Sequence, residues 1–326
     1  MSTHPTLEDV EAAARLIAGI ARSTPLAASP GLSGRLGFPV RLKAECLQET
    51  GSFKVRGAAN ALLSRDPQAV AGGVVAVSSG NHGRAVAHVA QMLGIPATVC
   101  VSARVPPNKI EAIEGLGATV VVAGPDQDDA DTAARRLVSE EGLTFIHPFD
   151  DPDVIAGQGT IGLEVLDASP ECGEIVVPLS GGGLISGIAI AAKARIAGIR
   201  VIGVSQDRGP AMHRSLEAGR LVDVVEEDTL ADALAGGLGP ENHHTFDMCR
   251  ELVDQTVLVS EPEIAGAMAF LHAEHGWRVE GGGAVGVAAI LAGRIVPDRP
   301  TAVVVSGGNI ADAAFRRALD AAARSG

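Results

Sequence analysis

Short β-branched runs alternate with longer alanine- and leucine-rich segments along almost the whole chain, and that rhythm leaves few folds open. The runs at 40–44, 73–77, 97–101, 118–122, 143–146, 174–179, 200–205, 255–259 and 301–305 read as strands. Helical periodicity occupies 53–64, 82–93, 107–116, 127–141, 157–168, 184–197, 240–253, 260–275, 284–294 and 310–323. Strands that are apolar nearly throughout have both faces covered. The expected fold is therefore α/β, with parallel sheets under helices on both sides. The 326 residues are too many for one small core and enough for two lobes. No repeat or low-complexity linker divides the chain, so the lobes are expected to be interleaved, with the chain leaving one and returning to it.

Charge and cysteine usage narrow the class. A net charge of -13 supplies no basic surface for a phosphate backbone, so a nucleic-acid partner is not expected. Cys46, Cys100, Cys172 and Cys249 lie far apart with no CxxC pair, which suits reduced core thiols better than a disulfide framework or a zinc site. His272 and His275 share a helix face but have no third ligand, and no metal site is expected. Thr6 and Asp9 have capping-box spacing where a secretory leader would show a basic and then an apolar run. No apolar run reaches membrane-spanning length. The expectation is a soluble, cytoplasmic protein without a membrane partner.

Three strands end in turns of similar chemistry: Ser78-Ser79-Gly80-Asn81-His82-Gly83, Ser180-Gly181-Gly182-Gly183 and Ser306-Gly307-Gly308-Asn309. In a parallel sheet the carboxyl ends of the strands share an edge, so these turns would gather backbone N–H groups and helix N-termini suited to an anion. None matches G-x-G-x-x-G, since Ser186 stands at its last position in the second turn, and no nucleotide P-loop is present. Lys54, in "ETGSFKVRGAAN", begins a helix among small residues. Either it is a solvated helix-start lysine or its amine does covalent chemistry. A carbonyl partner with a phosphate handle is pyridoxal 5'-phosphate.

Together GSFK, SSGNHG, SGGGL and SGGN closely resemble the motifs of fold-type II pyridoxal-phosphate enzymes, specifically the serine/threonine dehydratase and serine racemase group. The likeness covers nearly the whole chain. It implies that Lys54 would carry the cofactor and remove the substrate Cα proton. Phe53 would pack near the cofactor ring, and Asn81 would bond its hydroxyl. Gly181, Gly182, Gly183 and Leu184 would bind phosphate, and Ser306 would meet the pyridine nitrogen. Ser78, Ser79, Gly80, Asn81 and His82 would line the substrate carboxylate pocket, with Ser79 on the face opposite Lys54. Glu280 would lie close to cofactor and substrate. The expected division is a discontinuous cofactor-binding domain, 1–66 and 148–326, and a smaller domain, 67–147. A homodimer is expected on base rates.

Plainer roles stand beside these. Ser306 and Asn309 could cap the last helix, His82 could simply pack, and Glu280 could be a turn charge. A hydroxyl in place of a carboxylate at the ring nitrogen favours prompt β-elimination over a long-lived carbanion. The activity implied is a lyase that converts a β-hydroxy α-amino acid of the threonine or serine type into a 2-oxo acid and ammonia. "TLADALAGGLG" and "VEGGGAVGVAAIL" look more like dehydratases of hydroxyectoine utilisation, whose ring-opened substrate is also a β-hydroxy amino acid. A serine racemase and a catalytically silent ligand-binding protein are the alternatives. Ala231-Asp232-Ala233 departs from the family's Ala-Asp-Gly, beside the cofactor. Ser205, Gly209 and Ala211 replace the acidic residues of the racemase cation site.

Overall fold

The computed structural model describes residues 4–78, 80–105, 107–239 and 242–325. Their strands are β1 (Leu26–Ala28), β2 (Val40–Lys43), β3 (Val74–Val77), β4 (Ala97–Val101), β5 (Thr119–Val122), β6 (Thr144–Phe145), β7 (Glu174–Pro178), β8 (Arg200–Gln206), β9 (Gln255–Val259) and β10 (Thr301–Val304). They form a six-stranded sheet, β1-β2-β10-β7-β8-β9, and a four-stranded sheet, β5-β4-β3-β6. All neighbours are parallel except β1, which runs antiparallel to β2 at the edge. β3, β7 and β10 are buried at every residue, which is why their sequences are apolar without alternation.

The chain builds β1 and β2, completes the four-stranded sheet, and only then returns to the larger one. The helix Lys54–Leu63 is the shared wall. Its Val55, Ala58 and Leu62 join the core of the smaller sheet with Val74 and Val99, and Val154 from the helix Pro152–Ala168 packs into the same cluster. No helix among the described residues is long and apolar enough to cross a membrane.

Several expected boundaries move, for local reasons. β1 and the helices Pro30–Leu36 and Ala211–Ala218 were too short or too polar to stand out. The helix expected at 157 begins at Pro152, because the Asp151 carboxylate accepts the N–H groups of Asp153 at 2.8 Å and Val154 at 3.1 Å. The helix expected at 284 begins at Gly281. Its glycines look like a turn in sequence, yet they form a helical turn pressed against backbone: a Cβ on Gly281 would lie 2.1 Å from the Leu230 carbonyl, and one on Gly283 2.5 Å from that of Gly307. The helix expected at 240 begins at Thr245, and residues 240 and 241 lie outside the described residues.

Beneath the Lys54 helix is an ionic cluster that the hydrophobic pattern does not reveal. Arg56, 1% exposed, forks onto Glu45 with bonds of 2.8 and 2.9 Å and onto Glu164 with bonds of 2.7 and 2.9 Å. Its fifth donor, on Nη1, reaches Thr160 Oγ1 at 3.1 Å, and Nη2 shares its two hydrogens with the Arg22 carbonyl at 3.0 Å as well. Lys43, also 1% exposed, donates to the Thr24 carbonyl at 2.6 Å and contacts Glu164. Burial raises the Glu45 carboxyl, but the charges and hydrogen bonds of Arg56 and Lys43 outweigh it and hold the group below the usual carboxylate range. Removing one member would strand buried charge. Glu45→Ala is expected to cost roughly 3–5 kcal/mol in urea unfolding, and a loss under about 1 kcal/mol would show that the cluster is not a structural anchor.

Candidate active site

The carboxyl ends of β2, β3, β7 and β10 converge on one cavity of about 790 Å³. Phe53 and Lys54 enter it after β2, Ser78, Gly80, Asn81 and His82 after β3, Gly181 to Leu184 after β7, and Ser306 after β10, while Glu280 arrives from the start of the helix Gly281–Leu291. Every site residue singled out in sequence thus lines this space, with one reservation: Ser79 lies outside the described residues.

Helix ends carry much of its chemistry. The helices Lys54–Leu63, Asn81–Leu93, Gly183–Arg195 and Gly281–Leu291 all open on the cavity, and none has a side chain capping its first turn. Elsewhere Thr6, Asp126 and Asp151 cap theirs. The uncapped N–H groups leave donors and positive dipole ends facing the cavity. The cradle at Gly181–Gly183 cannot be built from other residues. A Cβ on Gly181 would fall 2.4 Å from the Phe149 ring, one on Gly183 2.6 Å from the Phe149 carbonyl, and Gly182 has φ +91°.

Lys54 donates to the Pro148 carbonyl at 2.6 Å, and its Nζ lies 5.3 Å from the Phe53 ring centroid. Burial lowers its pKa to about 8. The neutral amine is therefore accessible near neutral pH. His82, 3% exposed, has Nε2 2.8 Å from the Ile146 carbonyl, and burial together with the Lys54 charge brings its pKa down to about 3. It is neutral, with its Nε2 proton committed to that carbonyl. Asn309 donates to Asn81 Oδ1 at 2.6 Å and to the Thr50 carbonyl at 2.8 Å, and Asn81 donates to Glu280 Oε1 at 2.7 Å. Asn309 is accordingly a bridge across the site rather than a cap on the helix Asp312–Ser325. Burial raises the Glu280 pKa to about 7, with the Asn81 bond opposing and the Asp232 charge adding. Ser306, 4% exposed, accepts the Phe53 N–H on its carbonyl at 3.0 Å, and the 232–237 loop forms another wall.

The segment Ile146–Asp150 was not anticipated. Pro148 receives Lys54, and Phe149 walls the glycine cradle. The Asp150 carboxylate accepts three N–H groups, from His243 at 2.6 Å, His244 at 3.0 Å and Thr245 at 2.8 Å. His243 and His244 thus act through their backbones, ahead of the helix they were expected to sit in. Motif reading had no signal for this strap, because a carbonyl, a packed ring and an anchoring carboxylate carry no characteristic spacing.

The residues present fit pyridoxal phosphate. A cradle closed to any Cβ, uncapped helix N-termini and a depressed lysine amine are what an anionic tail and an aldehyde require.

Comparison with known proteins agrees. Residues 17–307 match the family model described as pyridoxal-phosphate dependent enzyme. A putative threonine dehydratase of Sinorhizobium fredii is 47% identical over 321 residues, covering 98% of this chain and 97% of that protein. An L-threonine ammonia-lyase of Thermotoga maritima is 44% identical over 305 residues, covering 94% and 76% respectively. The structure of maize serine racemase matches with a TM-score of 0.91 at 32% identity, over 98% of both chains.

Glu280 gives this site a pH signature. Its folded pKa of about 7 exceeds the ordinary 4.5, so its contribution to stability is present in acid and is lost as pH rises through 7. Glu280→Gln should therefore remove part of the fall in stability between about pH 4.5 and 7. Urea midpoints of both proteins across that range test it, and parallel profiles would contradict a buried, raised carboxyl.

Proposed function

The chain belongs to the pyridoxal-phosphate dependent enzymes, in the fold-type II serine/threonine dehydratase group, and from that premise we propose that it is a dehydratase of β-hydroxy α-amino acids of the threonine or serine type. The observation that carries this reading is the Lys54 amine, made less basic by burial alone and facing a glycine cradle across one cavity. Water is lost from Cα and Cβ and is taken up again as the product hydrolyses. The net change is amino acid to 2-oxo acid and ammonia.

Lys54 Nζ would be the attachment point for the coenzyme, Gly181 to Leu184 would receive its phosphate, and Asn81 and Ser306 would meet its ring. Bound there, the coenzyme supplies a sink for negative charge at the substrate Cα. The chain's own groups supply the rest. Lys54, with a pKa of about 8, takes the Cα proton as a general base. The turn Ser78–His82 and the first N–H groups of the helix Asn81–Leu93 orient the α-carboxylate. Ser306 would offer the ring a hydroxyl in place of a carboxylate, which would stabilise charge there less. The Asn309–Asn81–Glu280 chain holds Asn81 in one orientation.

The same reading assigns 67–147 to a smaller domain, and a homodimer in which exposed Leu16, Leu47 and Met92 are surface that a second copy would cover. A second substrate reading, a ring-opened hydroxyectoine derivative, is supported by the stretch "TLADALAGGLG", of which residues 232–237 line the cavity. Racemisation would need a second proton-transfer group opposite Lys54, the role sequence assigns to Ser79.

Borohydride treatment followed by peptide mass spectrometry should find the coenzyme on Lys54. Lys54→Ala should lose both this adduct and at least about 10³-fold in 2-oxo acid formation from threonine or serine. A coenzyme bound at another lysine, or an active Lys54→Ala protein, would overturn the proposal.

A further inference from the structure

Four cationic side chains line the cavity, and three are committed. Lys54 donates to the Pro148 carbonyl, Lys109 lies 3.6 Å from Asp232, and Arg278 pairs with Asp312 and the Ile310 carbonyl. Arg84 differs. Its Nε is buried without a hydrogen-bond partner, and among the described residues no carboxylate forms an ion pair with it. Of the acids that line the cavity, Glu280 is engaged by Asn81 and Asp232 by Lys109, and the third, the exposed Glu226, forms no ion pair with Arg84 among the described residues. A guanidinium presents five donors, and one held in a partly buried site without acceptors is destabilising unless a ligand supplies them.

Its position indicates which part of a ligand it meets. Arg84 is three residues beyond Asn81 on the helix Asn81–Leu93, so the two share a face, with Arg84 about 4.5 Å further along the axis. The N–H groups at the helix start suit one carboxylate, and Arg84 stands one turn beyond them. The helix-start N–H groups and the Arg84 guanidinium together offer more donors than one α-carboxylate needs. We infer that Arg84 forms a subsite for a second carboxylate, at the far end of the substrate side chain. On the dehydratase reading, on which this inference rests, the chain accepts β-hydroxy amino acids bearing a distal carboxylate, of which 3-hydroxyaspartate is the smallest. Threonine leaves this subsite unused. The planar fork of arginine suits a carboxylate in two-point contact better than an ammonium would.

The test compares kcat/KM for 3-hydroxyaspartate and for threonine in the coenzyme-loaded wild type, Arg84→Gln and Arg84→Lys. Arg84→Gln should lower the ratio of the two values at least about tenfold, mainly through KM for 3-hydroxyaspartate, and Arg84→Lys should recover part of it. A ratio unchanged within about twofold would overturn the subsite. A binding measurement separates this from failure of the dehydratase reading. Aspartate and alanine differ only in the distal carboxylate and carry no β-hydroxyl. Aspartate should raise the melting temperature of the wild type more than alanine does, and that advantage should vanish in Arg84→Gln. Retention of the advantage in the variant sinks the inference, whatever turnover shows. Wild-type protein that turns over neither substrate counts against dehydration and leaves the aspartate comparison to decide Arg84.

Discussion

The placement of Lys54 depends on a charge cluster two residues away. Arg56 forks onto Glu45 beyond β2 and onto Glu164 of the helix Pro152–Ala168, so one guanidinium fixes three segments together. Lys43, from the same strand that leads into the site, balances the second acid. Such a cluster gains little over well-packed apolar residues, but it tolerates few alternative arrangements, because each rearrangement leaves a buried charge unpaired. It therefore provides geometric definition at the start of the helix that carries the amine.

A second constraint acts from the other side. The segment Ile146–Asp150 crosses from the smaller sheet to the larger one, and along its length it meets His82, Lys54, the glycine cradle and the start of the helix Thr245–Leu252. Burial raises the Asp150 carboxyl, yet the three backbone N–H groups it accepts outweigh that and hold it below its ordinary range. The amine and the cradle are thus held by one short stretch of backbone. A shift between the sheets would move both together.

Desolvation then sets the electrostatics. It depresses Lys54, keeps His82 neutral and lifts Glu280, each in the direction that removes charge from the cavity wall. The helix N-termini add fixed partial positive charge, and their N–H groups are already oriented before a ligand enters. Arg84 stands apart from this pattern, a full charge that pairs with no carboxylate among the described residues.

Several features were legible in the chain alone. Parallel sheets followed from apolar strands such as "VVAV" and "TAVV", because burial on both faces suppresses alternation. The gathering of the 78–83, 180–183 and 306–309 turns at one edge followed from parallel topology, and the four motifs identified the coenzyme. Sequence also singled out Lys54 as the candidate reactive position, since an amine and an anion cradle have a joint chemical meaning, and the structure places it in the cavity. It did not disclose the Arg56 cluster, the Ile146–Asp150 strap or the lack of a carboxylate partner for Arg84 among the described residues. Those depend on which groups meet across separations such as Arg56 to Glu164 or Asp150 to Thr245. Local periodicity records whether a residue faces the core, whereas a partner's identity, and the pKa that follows from it, exist only once tertiary packing has excluded water and brought the two together.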